Sequence, residues 1–291
     1  MSDTASFQTV AVFGAGTMGS GIAQICSQAG SQVRIYDISA DVVAAGMARI
    51  RAFLDKGVAR GKTTEEAADR VFEKITAHDD LAAAVDGADL VIEAIPEILE
   101  LKREVFGKIA ALVGDSTVFA TNTSSLAVTA IFEGIEDPGR CIGTHFFNPP
   151  PLMPLLEVVR GEQTTQETVD RVLAYGEQLG KEAILVKDSP GFATSRLGVV
   201  LGLEAIRMVE AEVAAPADID RAMELGYRHP MGPLRLTDLV GLDVRMAIAD
   251  YLRQELDSPA FDVPQLMRDM VERGHTGKKA GQGFYDWSAA D

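Results

Sequence analysis

The sequence predicts a doubly wound α/β domain followed by an all-α domain, and three observations carry that expectation. Over residues 1–187, short apolar runs rich in Val and Ile alternate with longer helical patterns, the sequence form of a parallel sheet with helices on its faces. Past Asp188-Ser189-Pro190-Gly191 the β-branched runs disappear, and apolar residues recur at helical spacing, as in Val199, Leu203, Ile206, Val209 and Val213. A chain of 291 residues also exceeds the size at which one hydrophobic core usually stops growing. The expected domains are 1–187 and 188–291.

In order, strands are expected at 8–13, 31–37, 88–93, 116–121, 139–146, 155–159 and 182–187. Between them lie helical patterns at 17–30, 39–60, 64–75, 97–113, 124–133 and 165–180, several opened by a Ser or Thr that can cap the first turn. In the second domain Gly226, Pro230, Gly232, Pro233 and Gly241 punctuate the pattern into short helices, and a Gly/Lys-rich tail, Gly277-Lys278-Lys279-Ala280-Gly281-Gln282-Gly283-Phe284, follows.

Composition removes several function classes. With 43 acidic against 27 basic residues the formal net charge is −16, which opposes broad contact with nucleic acid or an anionic membrane. No apolar stretch is long enough to span a bilayer, and Met1–Ser6 has neither the basic start nor the apolar run of a secretory signal. Cys26 and Cys141 lie far apart in apolar surroundings without clustered His, so they are expected to be reduced core residues of a cytoplasmic protein with no metal site.

The first motif follows strand 8–13 at once. Gly14-Ala15-Gly16-Thr17-Met18-Gly19 opens the helix at 17–30 and has the form of a Rossmann-type dinucleotide fingerprint. The first glycine permits a tight turn, the second lets the backbone approach a pyrophosphate, and the third lets helix and strand pack closely. The next strand ends in Asp37, roughly twenty residues on, where a carboxylate accepts hydrogen bonds from a ribose diol and repels a 2′-phosphate. The expected cofactor is NAD rather than NADP.

Further motifs fall in a fixed order: Glu93-Ala94-Ile95-Pro96-Glu97, Asn122-Thr123-Ser124-Ser125-Leu126, Gly143-Thr144-His145-Phe146-Phe147-Asn148-Pro149-Pro150 and Asp188-Ser189-Pro190-Gly191-Phe192, with the Gly-Lys-Lys-x-Gly-x-Gly-Phe-Tyr tail. Together with the fingerprint they cover almost the whole chain, which resembles the 3-hydroxyacyl-CoA dehydrogenase family and, by its length, the short single-function 3-hydroxybutyryl-CoA branch. The resemblance implies oxidation of an L-3-hydroxyacyl-CoA to its 3-oxoacyl-CoA, and a homodimer formed by the helical domain.

Such a reaction needs a base near neutrality, and His is the side chain suited to it. His145 is one of four histidines and ends an expected strand on the side where doubly wound sheets bind ligands; without its neighbours it would equally suit a satisfied core histidine. Glu157 lies inside an apolar run, where a carboxylate needs a partner. By resemblance, His145 is the general acid/base, Glu157 orients it, Ser124 reaches the substrate oxygen and the nicotinamide, and Asn148 supports the same site. The resemblance also sets Glu97, Lys102 and Lys279 beside the cofactor.

Between positions 49 and 62, Arg49, Arg51, Lys56, Arg60 and Lys62 face the single acid Asp55. The patch suits an anion, and the resemblance puts coenzyme A there with Lys56 as its contact; a solvated helix face is the competing account. The chain departs from the family at Ser195, since Pro190-Gly191-Phe192-Ala193-Thr194-Ser195-Arg196 has serine where the family has asparagine beside the substrate's acyl oxygen. Ser195 is therefore a substrate-binding candidate or a residue that only caps or packs the first helix of the second domain. Two other functions stay open, a dehydrogenase of a free hydroxy acid of the gulonate or carnitine type and a non-catalytic NAD-binding protein.

Overall fold

The computed structural model describes residues 7–288, so the expectation drawn from Met1–Ser6 lies outside the described residues. Tertiary contacts divide the chain into two compact units, Met1–Ser189 and Pro190–Asp291.

The first unit is built from β1 (Thr9–Phe13), α1 (Thr17–Gln28), β2 (Gln32–Tyr36), α2 (Ala40–Ala59), α3 (Glu65–Glu73), β3 (Ile75–His78), α4 (Leu81–Val85), β4 (Leu90–Glu93), α5 (Leu99–Ala110), β5 (Val118–Thr121), α6 (Val128–Ile131), β6 (Cys141–Phe146), β7 (Leu155–Arg160), α7 (Gln166–Gln178) and β8 (Glu182–Lys187). The strands form one eight-stranded sheet in the order β3-β2-β1-β4-β5-β6-β7-β8. Every adjacent pair is parallel except β6–β7. Central strands are buried along their length, β4, β5 and β6 at every residue, which is why they read as continuous apolar runs rather than alternating ones. The chain winds outward from β1 through β2 to β3, then returns to β4 on the other side of β1, so the strand order reverses between β1 and β4. The crevice at the carboxyl ends of these two strands is where such a sheet takes a ligand. The doubly wound architecture is thus borne out.

Two local expectations are corrected, and two short elements, β3 and α4, are added. The helix expected over 64–75 ends at Glu73, and Ile75–His78 is a strand, its Ile75 paired with Val33 of β2; sheet pairing overrides the local pattern in a segment with no turn residue to announce it. The short α4, opened by Asp80 whose side chain accepts from Ala83 N–H, carries too few residues to show a period. The helix expected over 124–133 is reduced to Val128–Ile131. Its first residues are held in a loop by Glu97, and α6 begins where the Asp188 carboxylate accepts the N–H groups of Val128 and Thr129 at 3.0 and 2.8 Å.

The second unit is helical, with α8 (Thr194–Glu210), α9 (Pro216–Gly226), α10 (Pro233–Val240), α11 (Leu242–Leu256) and α12 (Gln265–Glu272). Val199, Leu203 and Ile206 of α8 pack with Leu234, Leu242, Leu252 and Met267 in its core, whereas Val213, the last of the expected series, lies past the helix and is exposed. The tail wraps around Asp238, whose carboxylate accepts from Phe284 and Tyr285 N–H and from the Trp287 indole at 2.8–2.9 Å. Gly277 and Gly283 are obligatory there, since a Cβ at either would fall 2.2 Å from an Asp238 oxygen.

Candidate active site

The fingerprint turn fits a dinucleotide in each of its three glycines. Gly14 adopts φ +97° and a Cβ there would lie 2.5 Å from the Ala94 carbonyl oxygen, while a Cβ on Gly19 would stand 1.7 Å from the Gly14 carbonyl oxygen. Both positions are closed to any side chain. A Cβ on Gly16 would meet nothing within 4 Å, so this backbone faces open space where a phosphate can approach. No side chain caps α1 and no acid occupies its first turn, which leaves its N–H groups and positive dipole end for an anion. Asp37 follows β2 directly and is half-buried, its Oδ2 accepting Ala15 N–H at 2.8 Å and its Oδ1 accepting Ile38 N–H at 2.8 Å. These bonds hold the carboxylate at the mouth of the turn. Arg49 of α2 braces the same turn, donating to the Ala15 carbonyl and the Ser20 hydroxyl at 3.0 Å each.

Across the crevice, β6 carries His145 near its carboxyl end. Because β7 runs antiparallel, Glu157 falls directly opposite His145 in register, and His145 Nδ1 lies 2.7 Å from Glu157 Oε2. Glu157 is 0% exposed and His145 5%. The pairing assigns the proton on Nδ1 to the bond with the carboxylate and fixes the ring's tautomer. The Phe147 ring packs on the imidazole at 4.5 Å, and the Asn122 amide oxygen accepts Phe146 N–H at 2.9 Å, tying the end of β6 to the loop after β5. Asn148 is exposed in the loop that follows.

Ser124 and Ser125 lie on the β5–α6 loop, half-buried, and Glu97 shapes that loop. Glu97 Oε1 accepts from the Thr123 hydroxyl at 2.6 Å, from Ser124 N–H at 2.9 Å and from Ser125 N–H at 3.2 Å. Burial works against ionisation of Glu97, but the Lys102 ammonium and the bonds from Thr123 and Ser124 outweigh it and hold the carboxyl below the ordinary carboxylate range. Lys102 is completely buried, its Nζ 2.6 Å from Glu93 Oε1 and 3.2 Å from Glu97 Oε2. Its ammonium ties Glu97 to the buried Glu93. Removing one partner of such a buried ion pair costs about 3–5 kcal/mol.

Comparison with known proteins agrees with this geometry. Residues 9–189 match the NAD-binding domain of 3-hydroxyacyl-CoA dehydrogenase, and residues 191–287 match its C-terminal domain. The chain belongs to the 3-hydroxyacyl-CoA dehydrogenase family. It is 42% identical to the 3-hydroxybutyryl-CoA dehydrogenase of Mycobacterium tuberculosis over 99% of this chain and 100% of that one, and 40% identical to the mitochondrial hydroxyacyl-coenzyme A dehydrogenase of Sus scrofa over 96% and 90%. The crystal structure of (S)-3-hydroxybutyryl-CoA dehydrogenase from Ralstonia eutropha superposes with a TM-score of 0.94 at 39% identity, covering 97% of this chain and 99% of that one. As a family member the chain is an NAD-dependent oxidoreductase of 3-hydroxyacyl-CoA.

The remaining candidates are placed as follows. Lys56 is exposed on α2, whereas Arg51 of the same patch is engaged by Asp55 and Asp69 at 2.8 and 2.5 Å, so the local positive excess is smaller than the sequence suggests. Lys279 pairs with Asp243 at 2.6 Å within the helical unit and is about half exposed. Ser195 is half-buried at the second position of α8; this helix starts after Ala193 with no side-chain cap, so Ser195 does not cap it. Cys26 and Cys141 are free and buried, and burial pushes both thiols up to about 12. Sequence reasoning read Arg49 only as part of the basic patch and gave no role of their own to Asn122 and, above all, Glu93, whose place in the run Leu90-Val91-Ile92-Glu93 gives the same signal that singled out Glu157: a carboxylate in a buried strand.

Proposed function

We propose that the chain interconverts a short-chain L-3-hydroxyacyl-CoA, with 3-hydroxybutyryl-CoA as the expected substrate, and the corresponding 3-oxoacyl-CoA. The observation that carries this is the buried His145–Glu157 pair at the carboxyl end of β6, on the same side of the sheet as the fingerprint turn. Relatives named for 3-hydroxybutyryl-CoA support the short acyl chain.

Bound NAD supplies the hydride acceptor. His145 takes the proton of the 3-hydroxyl at Nε2, since Nδ1 is committed to Glu157, and returns it in the reverse direction. Glu157 holds the ring and stabilises the imidazolium as it forms. Ser124 donates a hydrogen bond to the substrate oxygen and Asn148 supports the same site. Gly14 through Gly19, with Ala15, Thr17 and Met18 between them, would cradle the pyrophosphate, Thr17 and Met18 lending backbone N–H groups while the Ala15 N–H holds Asp37, and Asp37 would receive the adenosine ribose. Glu97, Lys102 and Lys279 belong to the cofactor side. Lys56 contacts a coenzyme A phosphate and Ser195 the acyl oxygen.

The same proposal includes a homodimer formed by the helical unit, where Leu197, Leu236, Leu239, Val240 and Val244 leave apolar surface exposed. It also includes a cytoplasmic location, supported by two free, buried cysteines. Oxidation of NADH by acetoacetyl-CoA, followed by the loss of NADH absorbance and repeated with longer 3-oxoacyl-CoAs and with free acetoacetate, tests the proposal. Turnover of acyl-CoA falling with chain length is expected. Turnover of the free acid alone would transfer the function to a hydroxy-acid dehydrogenase, and NADH binding without any turnover would make the chain a non-catalytic NAD-binding protein.

A further inference from the structure

Glu93 closes β4, a strand buried at all its residues, and both oxygens of its carboxylate are engaged. Oε1 accepts from the Lys102 ammonium at 2.6 Å and from Ile95 N–H at 2.8 Å, and Oε2 accepts from the Thr121 hydroxyl at the end of β5 at 2.7 Å. Lys102 reaches on to Glu97 Oε2 at 3.2 Å, and Glu97 Oε1 gathers the backbone N–H groups of Ser124 and Ser125. Thr121, Glu93, Lys102, Glu97 and Ser124 thus form a continuous chain of contacts from the interior of the sheet to the loop that carries the candidate substrate-facing hydroxyl.

We propose that Glu93 is a positioning residue for the reaction, one that fixes Ser124 through Lys102 and Glu97. This rests on the assignment of Ser124 to the substrate oxygen made above. A glutamate that is 37% exposed at its side chain has several rotamers open to it, and only the one observed grips the Ser124 loop. What selects that rotamer is the ammonium, a compact charge on a flexible stem that goes where its counter-ions hold it. Glu93, fully buried and closer to Lys102 than Glu97 is, sets that place. With Glu93 neutral, the Lys102 charge has Glu97 as its one carboxylate partner among the described residues and draws it inward, away from the Ser124 and Ser125 N–H groups. A simple core ion pair would stabilise the fold without this directional effect, and apolar residues of similar volume could replace it.

Two readouts separate the accounts. Amide hydrogen exchange at Ser124 and Ser125 should accelerate about tenfold in Glu93→Gln, the loss of roughly one net hydrogen bond, with Thr121→Val giving a smaller change in the same direction if Glu93→Gln folds poorly. In kinetics, Glu93→Gln should lower kcat about tenfold, and it should cause no further loss of kcat in a Ser124→Ala background. The double variant Glu93→Gln with Lys102→Met removes the buried charge altogether and should recover thermal stability but not kcat. Exchange unchanged in both single variants, additive losses with Ser124→Ala, or recovery of kcat along with stability in the double variant would each overturn the proposal. If the unmodified protein turns over no acyl-CoA, the assigned function fails, and the exchange measurement still decides whether Glu93 fixes the loop.

Discussion

His145 and Glu157 stand directly opposite one another in the antiparallel β6–β7 pair, with Nδ1 2.7 Å from Oε2. Residues facing each other in this way project to the same side of the sheet. The reversal of direction after β6, the one antiparallel step in an otherwise parallel sheet, therefore delivers a carboxylate to the imidazole at the crevice. A short Pro-rich loop suffices for it, where a parallel neighbour would need a crossover of a dozen or more residues.

Replacement His145→Gln removes the proton-exchanging group while keeping a polar side chain opposite Glu157. Turnover should fall by roughly 10²- to 10⁴-fold, the usual worth of a positioned acid/base, with NADH affinity by fluorescence titration nearly intact. Unchanged turnover would remove His145 from the reaction; loss of folding together with turnover would make it a core histidine.

The two glycines of the fingerprint helix should respond oppositely to alanine. Gly19→Ala sets a Cβ 1.7 Å from the Gly14 carbonyl oxygen, so the turn must open, and a lowered thermal midpoint is expected in the absence of any ligand. Gly16→Ala projects into open space and should leave the midpoint of the ligand-free protein within a few degrees while weakening NADH binding. Equal loss of stability in both variants would contradict the separate roles given to them.

Acid should erase what Glu97 contributes. Its carboxyl is held below the ordinary range, with Lys102 and the Thr123 and Ser124 donors overcoming the effect of burial. A depressed folded-state pKa contributes stability above the unfolded value, about 4.3, and that contribution is lost as pH falls through the folded value. The urea midpoints of the unmodified protein and Glu97→Gln should therefore differ at pH 7 and converge toward pH 3. A gap that persists or widens in acid would show that the carboxylate is not held in its charged form by these partners.

Ser195 tests the chain's departure from its family. A serine hydroxyl donates a hydrogen bond from a shorter side chain than asparagine and can act directly or through a water. Ser195→Ala should lower kcat/KM for acetoacetyl-CoA about tenfold, one net hydrogen bond, with little change in NADH affinity. Unaltered kinetics would take Ser195 out of the site.

Features with a local cause are legible in the amino-acid sequence. Gly14 reports a backbone path that favours glycine, Gly19 a helix turn too close to Gly14 for a side chain, Gly16 a backbone left open to a phosphate, Asp37 reports the end of a strand, and the buried runs of β1, β4, β5 and β6 report a sheet covered on both faces. Glu157 was legible because a carboxylate inside an apolar strand demands a partner, and Glu93 carried that same signal. Which partners these carboxylates meet depends on how the chain folds back on itself. The register of β6 on β7 chose His145 for Glu157, and the return of α5 against β4 brought Lys102 to Glu93. The strand Ile75–His78 exists because β2 offers it an edge, and Ser124 stands in a loop rather than a helix because Glu97 accepts its N–H. Each of these depends on hydrogen bonds between segments distant in sequence, whose free energy outweighs local preference only once the sheet has assembled.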